Sequence, residues 1–321
     1  MTMQIISASR RTDLPAFYGE WFMNRVHAGW CAVPNPFNPK QVSRIELDPL
    51  DTLLVFWTRW PAPFMQAAAE LRSLGFRYYV HYTVLDYPPA IHAKAPGLEQ
   101  TIGAFLNLAE MIGPERMVWR YDPILFSANT DGEYHLSRFA QIARRLQGAT
   151  KRVVISILEP YQKAARRLAR LAQTQPAYRY LEYDAARDAD LLRHLVRIAH
   201  EHGLKIHSCA EQHDLASVGI APGKCIDDQL IQSVFGVQVS HKKDKSQRDA
   251  CGCVESRDIG IYDSCAFGCA YCYANRNFDS SARHHAMHDR QSESLIGHYR
   301  APPRRFKPEQ SKTPPFPADS G

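Results

Sequence analysis

The 321-residue sequence lacks any run of about 18 apolar residues, so we expect no transmembrane helix. Its first residues, MTMQIISASRRTDLP, have no apolar stretch after a basic start, so we expect no secretory signal peptide. A strong charge bias is also missing, since the formal net charge of +6 permits an anionic partner without demanding one. We find no internal repeat. With 45% apolar and 22% charged residues, these absences predict a globular, cytoplasmic protein.

Short β-rich runs alternate with longer segments whose apolar residues recur at helical spacing, as Phe105, Leu108 and Ile112 do. The seven strand candidates are residues 4–8, 52–57, 77–84, 116–120, 152–158, 204–209 and 259–264. Strands separated by helices predict parallel pairing with right-handed crossovers. We therefore predict an α/β fold, a TIM-like parallel β/α barrel that is partial or full. An open doubly wound sheet is the alternative.

Polar side chains recur at or just after the predicted strand ends, which favours the barrel because barrel sites are built from such loops. They are Arg10, Arg11, Thr12 and Asp13, then Thr58 and Arg59, then Arg120, Tyr121 and Asp122, and finally Glu159 and Glu211. We take four of them as candidate catalytic residues, namely Arg10, Asp13, Arg120 and Asp122. Adjacent arginines could clamp a carboxylate or phosphate. The alternative is that these residues form local salt bridges, from Arg10 or Arg11 to Asp13 and between Arg120 and Asp122.

The domain organisation follows from composition. Residues 1–298 are predicted to form one α/β domain that includes a cysteine-rich region at 205–275, of which 221–257 is less regular. From residue 299 to 321 the chain is rich in proline and has no apolar periodicity, which predicts a disordered tail.

Seven of the eight cysteines lie from Cys209 onward. In a reducing compartment such clustering indicates metal ligands before disulfides. Cys265, Cys269 and Cys272 have the spacing C-x3-C-x2-C in DSCAFGCAYCYAN, directly after a predicted strand, and Gly268 between them can take a positive φ. Three thiolates can hold three irons of a [4Fe–4S] cluster and leave the fourth iron open. The alternative is a zinc site completed by a nearby cysteine or histidine.

This loop resembles the cluster motif of the radical S-adenosylmethionine (SAM) superfamily, including Tyr271 just before the third cysteine, and GCAYCYAN is similar to the loop of spore-photoproduct-lyase-like members. The resemblance implies that the three cysteines hold the cluster and that Tyr271 contacts SAM. It further implies that one electron, from a donor such as flavodoxin or ferredoxin, cleaves SAM to methionine and a 5′-deoxyadenosyl radical that takes hydrogen from a substrate.

Two departures from that superfamily stand out. The cysteine triplet lies near the C-terminus instead of on a first strand, which a circularly permuted barrel resolves if the predicted strand 259–264 pairs beside 4–8. No Gly-Gly-Glu stretch for the SAM amino group is evident, and we take Glu211 as the candidate for the amino group or the ribose.

The wider chain resembles a bacterial domain family of unknown function, to which no reaction is assigned. The matching stretches are ISASRRTDLPAFYGEWF, NPFNPKQVSR, WRYDPI, CGCVESRDIGIYDSCAFGCAYCYAN and HDRQSESLIG.

Four further cysteines precede the triplet, namely Cys209, Cys225, Cys251 and Cys253. Four thiols can complete a second [4Fe–4S] cluster or a tetrahedral zinc site. The alternative is that Cys209 is a small buried core residue.

The leading hypothesis is a radical SAM enzyme whose substrate the sequence does not identify. One rival is a non-catalytic zinc or iron–sulfur binding module. The other is a nucleic-acid repair lyase, which depends on the local loop similarity and on the basic helical stretch 163–171.

Overall fold

A computed structural model describes residues 3–303, so the predicted tail from 304 onward lies outside the described residues. The central element is an eight-stranded sheet with the order β10-β1-β4-β5-β6-β7-β8-β9, in which every neighbouring pair is parallel. The strands are β1 Gln4–Ala8, β2 Trp30–Asn35, β3 Asn38–Glu46, β4 Thr52–Thr58, β5 Arg77–Thr83, β6 Met117–Ile124, β7 Arg152–Ile157, β8 Lys205–Cys209, β9 Ala221–Gly223 and β10 Arg257–Asp258.

Helices follow most strands, as parallel pairing requires. They are α1 Leu14–Phe17, α2 Gly19–Ala28, α3 Met65–Ser73, α4 Leu98–Ile112, α5 Gly132–Leu146, α6 Gln162–Thr174, α7 Ala185–Glu201, α8 Asp228–Phe235 and α9 Phe278–Ala286. No helix among residues 3–303 is long and apolar enough to cross a membrane. The predicted alternation of strands and helices is confirmed.

Six of the seven strand candidates form strands of the parallel sheet, and β1 has the predicted bounds. The seventh prediction, a strand over 259–264, is wrong. The strand here is the two-residue β10, which pairs with β1 through Ile6 opposite Arg257 and Ser7 opposite Asp258. Beyond it, the Asp258 carboxylate accepts the backbone N–H of Gly260 at 2.9 Å, and the chain leaves the ladder. The predicted position beside β1 is nevertheless confirmed.

Side chains alternate between the two faces of the sheet along each strand, and both faces are buried. One face, which includes Leu54 and Trp119, packs on the helices. The other face, which includes Leu53 and Val118, packs against residues between Cys225 and Val254. The sheet therefore lies between a helical layer and a less regular layer that contains three of the cysteines.

The expected barrel closure is not observed. Within the described residues, the edge strands β9 and β10 each pair with one neighbour in the sheet, β8 and β1, and not with each other. The segment predicted to be irregular also contains the short strand β9 and the helix α8, which Asp227 caps by accepting the N–H of Gln229 at 2.9 Å. A second sheet, the antiparallel hairpin β2–β3, was not predicted.

Candidate functional site

The loop that carries the cysteine triplet begins where β10 ends, at the carboxyl end of β1. Asp258 holds this junction, because its carboxylate accepts hydrogen bonds from Ser7 Oγ at 2.7 Å, Ser9 Oγ at 2.8 Å and the Arg10 backbone N–H at 2.9 Å. Active sites of parallel α/β folds lie at the carboxyl ends of the strands. The triplet therefore occupies the edge of the sheet where a site is expected.

The loop itself is tightly folded. Gly268 takes a φ of +71°, as predicted, and the N–H of Cys272 donates to the carbonyl of Cys269 at 3.0 Å. The segment after β5 supports it from outside, since the N–H of Ala270 donates to the carbonyl of Ile91 at 2.9 Å. The Asn275 amide also donates to the carbonyl of Cys265 at 2.7 Å. These bonds bring the three cysteines together from one short stretch of chain.

The three thiols differ in exposure. Cys269 is buried, whereas Cys265 and Cys272 are half-buried. Burial raises the pKa of Cys265 well above its ordinary value, and the neighbouring Cys272 raises it further. Burial likewise raises the pKa of Cys269, against the guanidinium of Arg59, which lowers it. The thiols therefore lie close enough to repel one another as thiolates, next to a cation that offsets part of that repulsion.

The spacing of the triplet bears on the kind of metal it fits. A zinc ion with Zn–S bonds of about 2.3 Å needs its sulfurs about 3.8 Å apart. Among residues 3–303, three ligand atoms that lie within 4.8 Å of one another occur at Glu159, Glu211 and His213, but not at the triplet. A cubane cluster holds thiolates farther apart, because each thiolate binds a different iron. The sulfurs of the triplet are therefore not all at the separation that a single zinc ion requires.

A buried polar group lies beside the thiols. Arg59, from the end of β4, donates to the hydroxyl of Tyr271 and lies 3.3 Å from His92 Nδ1, while His92 Nε2 lies 2.6 Å from the same hydroxyl. Burial disfavours the charged form of Arg59, but Tyr271 and the thiols of Cys269 and Cys265 raise its pKa on balance. Arg59 therefore stays a cation next to the triplet.

Asp13, one of the predicted catalytic residues, is buried on the other side of Arg59. Its carboxylate accepts the backbone N–H of Arg59 at 2.6 Å and that of Ala16 at 3.0 Å, which caps α1. Burial raises the pKa of Asp13 to about 6, although these hydrogen bonds act in the opposite direction. Asp13 thus joins α1 to the end of β4 and adds a titratable group close to the thiols.

Arg167 in α6 fastens the far side of the loop. Its guanidinium donates to the carbonyl of Ala270 at 2.9 Å, to that of Asn275 at 3.0 Å and to that of Cys272. Burial lowers the pKa of Arg167, and the thiol of Cys272 opposes that effect. The basic stretch 163–171 thus places one arginine against the cluster loop.

The other predicted catalytic residues are paired with carboxylates, as the alternative explanation expected, although Arg10 has different partners. Arg10 lies 3.3 Å from Asp244 and 3.9 Å from Asp258, not beside Asp13. Arg120 is buried and forms an ion pair with Asp122. Its guanidinium also donates to the sulfur of Cys225 at 2.9 Å.

Glu211, the candidate contact for SAM, uses both carboxylate oxygens within the protein. They accept the backbone N–H groups of Ile157 at 2.9 Å, Gln212 at 2.9 Å and His213 at 3.3 Å. Together with His213 and Glu159 it forms a half-buried group of oxygen and nitrogen ligands, and His213 Nε2 lies 3.5 Å from Glu159. Glu211 therefore anchors the ends of β7 and β8.

The four remaining predicted metal ligands come together on the opposite face of the sheet from α4 and α5. Cys209 and Cys225 have their sulfurs 3.0 Å apart, and Cys253 hydrogen-bonds to both Cys225 and Cys251. Cys31 is instead a buried residue of the helical core.

Sequence reasoning did not select Arg59, His92 and Arg167 as site residues. Arg59 carried a signal, since it follows a strand end, and Arg167 belongs to the basic helical stretch 163–171. His92 lies in a stretch without regular secondary structure between β5 and α4, and nothing in its sequence context marks it.

Comparison with known proteins bears on the family of the chain. Among curated proteins, none matches the sequence. A family model described as a domain of unknown function (DUF1848) matches residues 5–274, a span that includes the cysteine triplet and the four other clustered cysteines. The expected resemblance to a family without an assigned function is thus confirmed, and the chain belongs to the DUF1848 family.

Proposed function

We propose that this protein is a radical SAM enzyme in which Cys265, Cys269 and Cys272 hold a [4Fe–4S] cluster. The observation that carries the proposal is the convergence of three thiols from one loop at the carboxyl end of a parallel sheet, two of them half-buried. Three protein ligands leave one iron of a cubane without a thiolate, and half-buried thiols leave room for a small molecule there. The position of β10 beside β1 supports a circularly permuted order of strands.

The surrounding residues suit a negatively charged centre. Arg59 and Arg167 lie on different sides of the loop, and each feels the thiols electrostatically. A cation held close to thiolates favours their deprotonated, metal-binding form. We infer that Arg59 stabilises the ligands by charge and that Arg167 holds the loop in the binding conformation.

The proposed reaction consumes one electron and one SAM molecule per radical formed. When bound, a reduced cluster supplies the electron that breaks the sulfonium S–C5′ bond, which yields methionine and a 5′-deoxyadenosyl radical that becomes 5′-deoxyadenosine on taking hydrogen from the substrate. The electron comes from a low-potential donor of the flavodoxin or ferredoxin class. A cytoplasmic location goes with this proposal, because a reducing compartment keeps the thiols free.

Residues at the carboxyl end of the sheet are proposed to line the substrate side. Arg10 is joined to the loop by the hydroxyl of Tyr273, which donates to its carbonyl at 2.6 Å. Arg120 and Asp122 lie within β6, at its fourth and sixth residues. The buried guanidinium of Arg120 is already bonded to Asp122 and Cys225, so we propose that this pair shapes the substrate side and that Arg10 binds a polar group of the substrate.

The test is SAM cleavage by protein that is reconstituted and reduced without oxygen. We expect methionine and 5′-deoxyadenosine to form slowly without substrate, because the radical can take hydrogen from solvent or reductant. The triple variant Cys265→Ala, Cys269→Ala, Cys272→Ala should lose about four irons per chain and all cleavage. Cys31→Ala, a buried cysteine outside the site, serves as the matched control and should keep both.

Two results would replace the proposal. A sample that contains the full cluster but forms no 5′-deoxyadenosine would favour a non-catalytic iron–sulfur module, and colourless protein with stoichiometric zinc at the triplet would favour a zinc module. A repair lyase would instead bind DNA, with an affinity that falls steeply as salt rises.

A further inference from the structure

A second group of four cysteines converges from three separate parts of the chain. Cys209 ends β8, Cys225 follows β9, and Cys251 and Cys253 lie in an irregular stretch before β10. Their sulfurs form a series of pairwise contacts, from Cys209 to Cys225 at 3.0 Å, from Cys225 to Cys253, and from Cys253 to Cys251. As at the triplet, no three of these sulfurs lie within 4.8 Å of one another, so a single zinc ion would have to draw them closer together. All four are free thiols.

This group lies in a predominantly buried environment. Cys225, Cys251 and Cys253 are buried and Cys209 is half-buried, on the face of the sheet that also carries Leu53 and Val118. Scattered cysteines are often small core residues. Here four cysteines meet although Cys209 and Cys225 are 16 residues apart and Cys225 and Cys251 are 26 residues apart. Packing alone does not explain this, because any small apolar side chain would fill the same space.

Hydrogen-bond donors contact three of the four sulfurs. The guanidinium of Arg120 donates to the sulfur of Cys225 at 2.9 Å, and it also hydrogen-bonds to Cys209. The backbone N–H of Ile226 donates to the sulfur of Cys253 at 3.3 Å. Donors aimed at sulfur stabilise the thiolate, which is the form that binds metal, and such contacts commonly orient metal ligands.

We propose that Cys209, Cys225, Cys251 and Cys253 form a second metal centre, ligated entirely by thiolates and distinct from the triplet. Four thiolates are the ligand set of a structural zinc ion and of a closed [4Fe–4S] cluster. Both take all four sulfurs and leave no open coordination position. The centre therefore has a structural or electron-transfer role, and it does not bind SAM.

Its structural effect follows from where the ligands lie. Between the end of α8 and β10 the chain has little regular secondary structure, yet it covers one face of the sheet through Val239 and Val254. A metal that joins Cys251 and Cys253 to Cys209 and Cys225 ties this segment to the ends of β8 and β9. The metal would thus stabilise a layer that has few backbone hydrogen bonds of regular secondary structure.

Arg10 lies close to both groups of cysteines. The carboxylate of Asp258 and then the thiol of Cys253 raise the pKa of Arg10, although burial opposes them, and the Arg10 carbonyl accepts a hydrogen bond from Tyr273, which follows Cys272. The second centre therefore lies near the proposed site, through Arg10, but has a different set of ligands. Its existence does not depend on the proposed function.

The experiment uses the full-length triplet variant, in which Cys265, Cys269 and Cys272 are alanine. We expect it to retain one thiolate-bound centre per chain, either about one zinc or about four irons with matching sulfide. X-ray absorption at the edge of the retained metal should show sulfur as its only ligand type. Zinc without iron identifies a single ion, and iron with sulfide identifies a cluster.

Replacing Cys209, Cys225, Cys251 and Cys253 by alanine in the same background should remove that metal completely, whereas adding Cys31→Ala should not. If the four-alanine variant does not fold, thiol alkylation of the folded triplet variant decides. The four thiols should resist alkylation until a chelator removes the metal. Adding Zn²⁺ alone to the metal-free protein should then restore this protection if the centre is a zinc ion. If the centre is an iron–sulfur cluster, Zn²⁺ alone should not restore it.

The proposal is overturned if the triplet variant holds no metal with sulfur ligands and its thiols alkylate at the same rate before and after chelation. Loss of SAM cleavage in that variant bears only on the triplet, so the two proposals fail separately.

Discussion

The hydroxyl of Tyr273 donates a hydrogen bond of 2.6 Å to the carbonyl oxygen of Arg10, two residues that are 263 positions apart in the sequence. Tyr273 directly follows the last cysteine of the triplet, and Arg10 follows β1. This contact, together with the hydrogen bonds of Asp258 to Ser7 and Ser9, fixes the loop on the sheet. The geometry of the thiols therefore depends on contacts between the two ends of the domain.

Arg167→Ala should loosen the cluster loop, because it removes the donors to the carbonyls of Ala270, Cys272 and Asn275. A hydrogen bond from a charged donor contributes about 1.5–3 kcal/mol, but Arg167 is only half-buried and water can replace much of these contacts. We therefore expect the free energy of unfolding to fall by about 2 kcal/mol in total. Under the proposed function, a chelator should also remove iron faster. Arg170→Ala, an exposed arginine of the same helix, is the control, and equal rates for both variants would contradict the clamp.

Tyr271→Phe should lower stability more than it weakens SAM binding. Its hydroxyl contacts Arg59 Nη2 and His92 Nε2, so its loss leaves these two buried nitrogens without that partner at a cost of about 1–3 kcal/mol, although Arg59 Nη1 still lies 3.3 Å from His92 Nδ1. The melting temperature measures that cost, and the KM for SAM measures the other effect. A large rise in KM with unchanged stability would instead support the direct contact between Tyr271 and SAM that the sequence resemblance implies.

Acid should destabilise the protein through His135. This side chain is buried, with Nδ1 2.9 Å from the hydroxyl of Tyr121 and Nε2 3.1 Å from the carbonyl of Leu125, and burial lowers its pKa to about 4. In the unfolded chain the histidine takes up a proton near pH 6.5, so the unfolded state gains protons first as the pH falls. The contribution of His135 to stability is therefore full above about pH 6.5 and falls by roughly 3 kcal/mol towards pH 4. Buried His81, whose pKa burial lowers to about 3, adds a loss of the same sign over this range.

Urea unfolding at a series of pH values measures this loss. In His135→Gln the loss of stability between pH 7 and pH 4 should be smaller than in the parent protein, because of the buried histidines only His81 and His92 then contribute. His200→Gln, at an exposed position in α7, should follow the parent protein. Parallel curves for all three proteins would show that His135 is not the acid-sensitive group.

Two glycine substitutions should have opposite signs. A Cβ at Gly260 would lie 1.9 Å from Ser9 Oγ and 2.6 Å from Ser9 Cβ, so Gly260→Ala must displace the junction between β1 and the cluster loop. We expect a loss of about 3 kcal/mol and reduced metal loading. Gly103, inside α4, has open space around its Cβ position, and Gly103→Ala should stabilise the helix by about 0.5–1 kcal/mol. Thermal unfolding of the two variants tests both statements.

The sequence alone determined the features that arise from neighbouring residues. Short β-rich runs and apolar residues at helical spacing located six strands and the main helices, because both patterns depend on residues that are close together in the sequence. The spacing of Cys265, Cys269 and Cys272 likewise predicted a shared site, since three thiols within eight residues must stay close wherever the loop lies.

Tertiary structure alone decided what distant residues do together. Arg59, His92 and Arg167 reach the loop from three different parts of the chain, and Cys209 and Cys225 meet Cys251 and Cys253 only because β8, β9 and the irregular segment pack on one face. The strand expected at 259–264 is a loop because the Asp258 carboxylate bonds to the end of β1 and to Gly260. Such contacts depend on the path of the whole chain, and no local pattern of residues specifies that path.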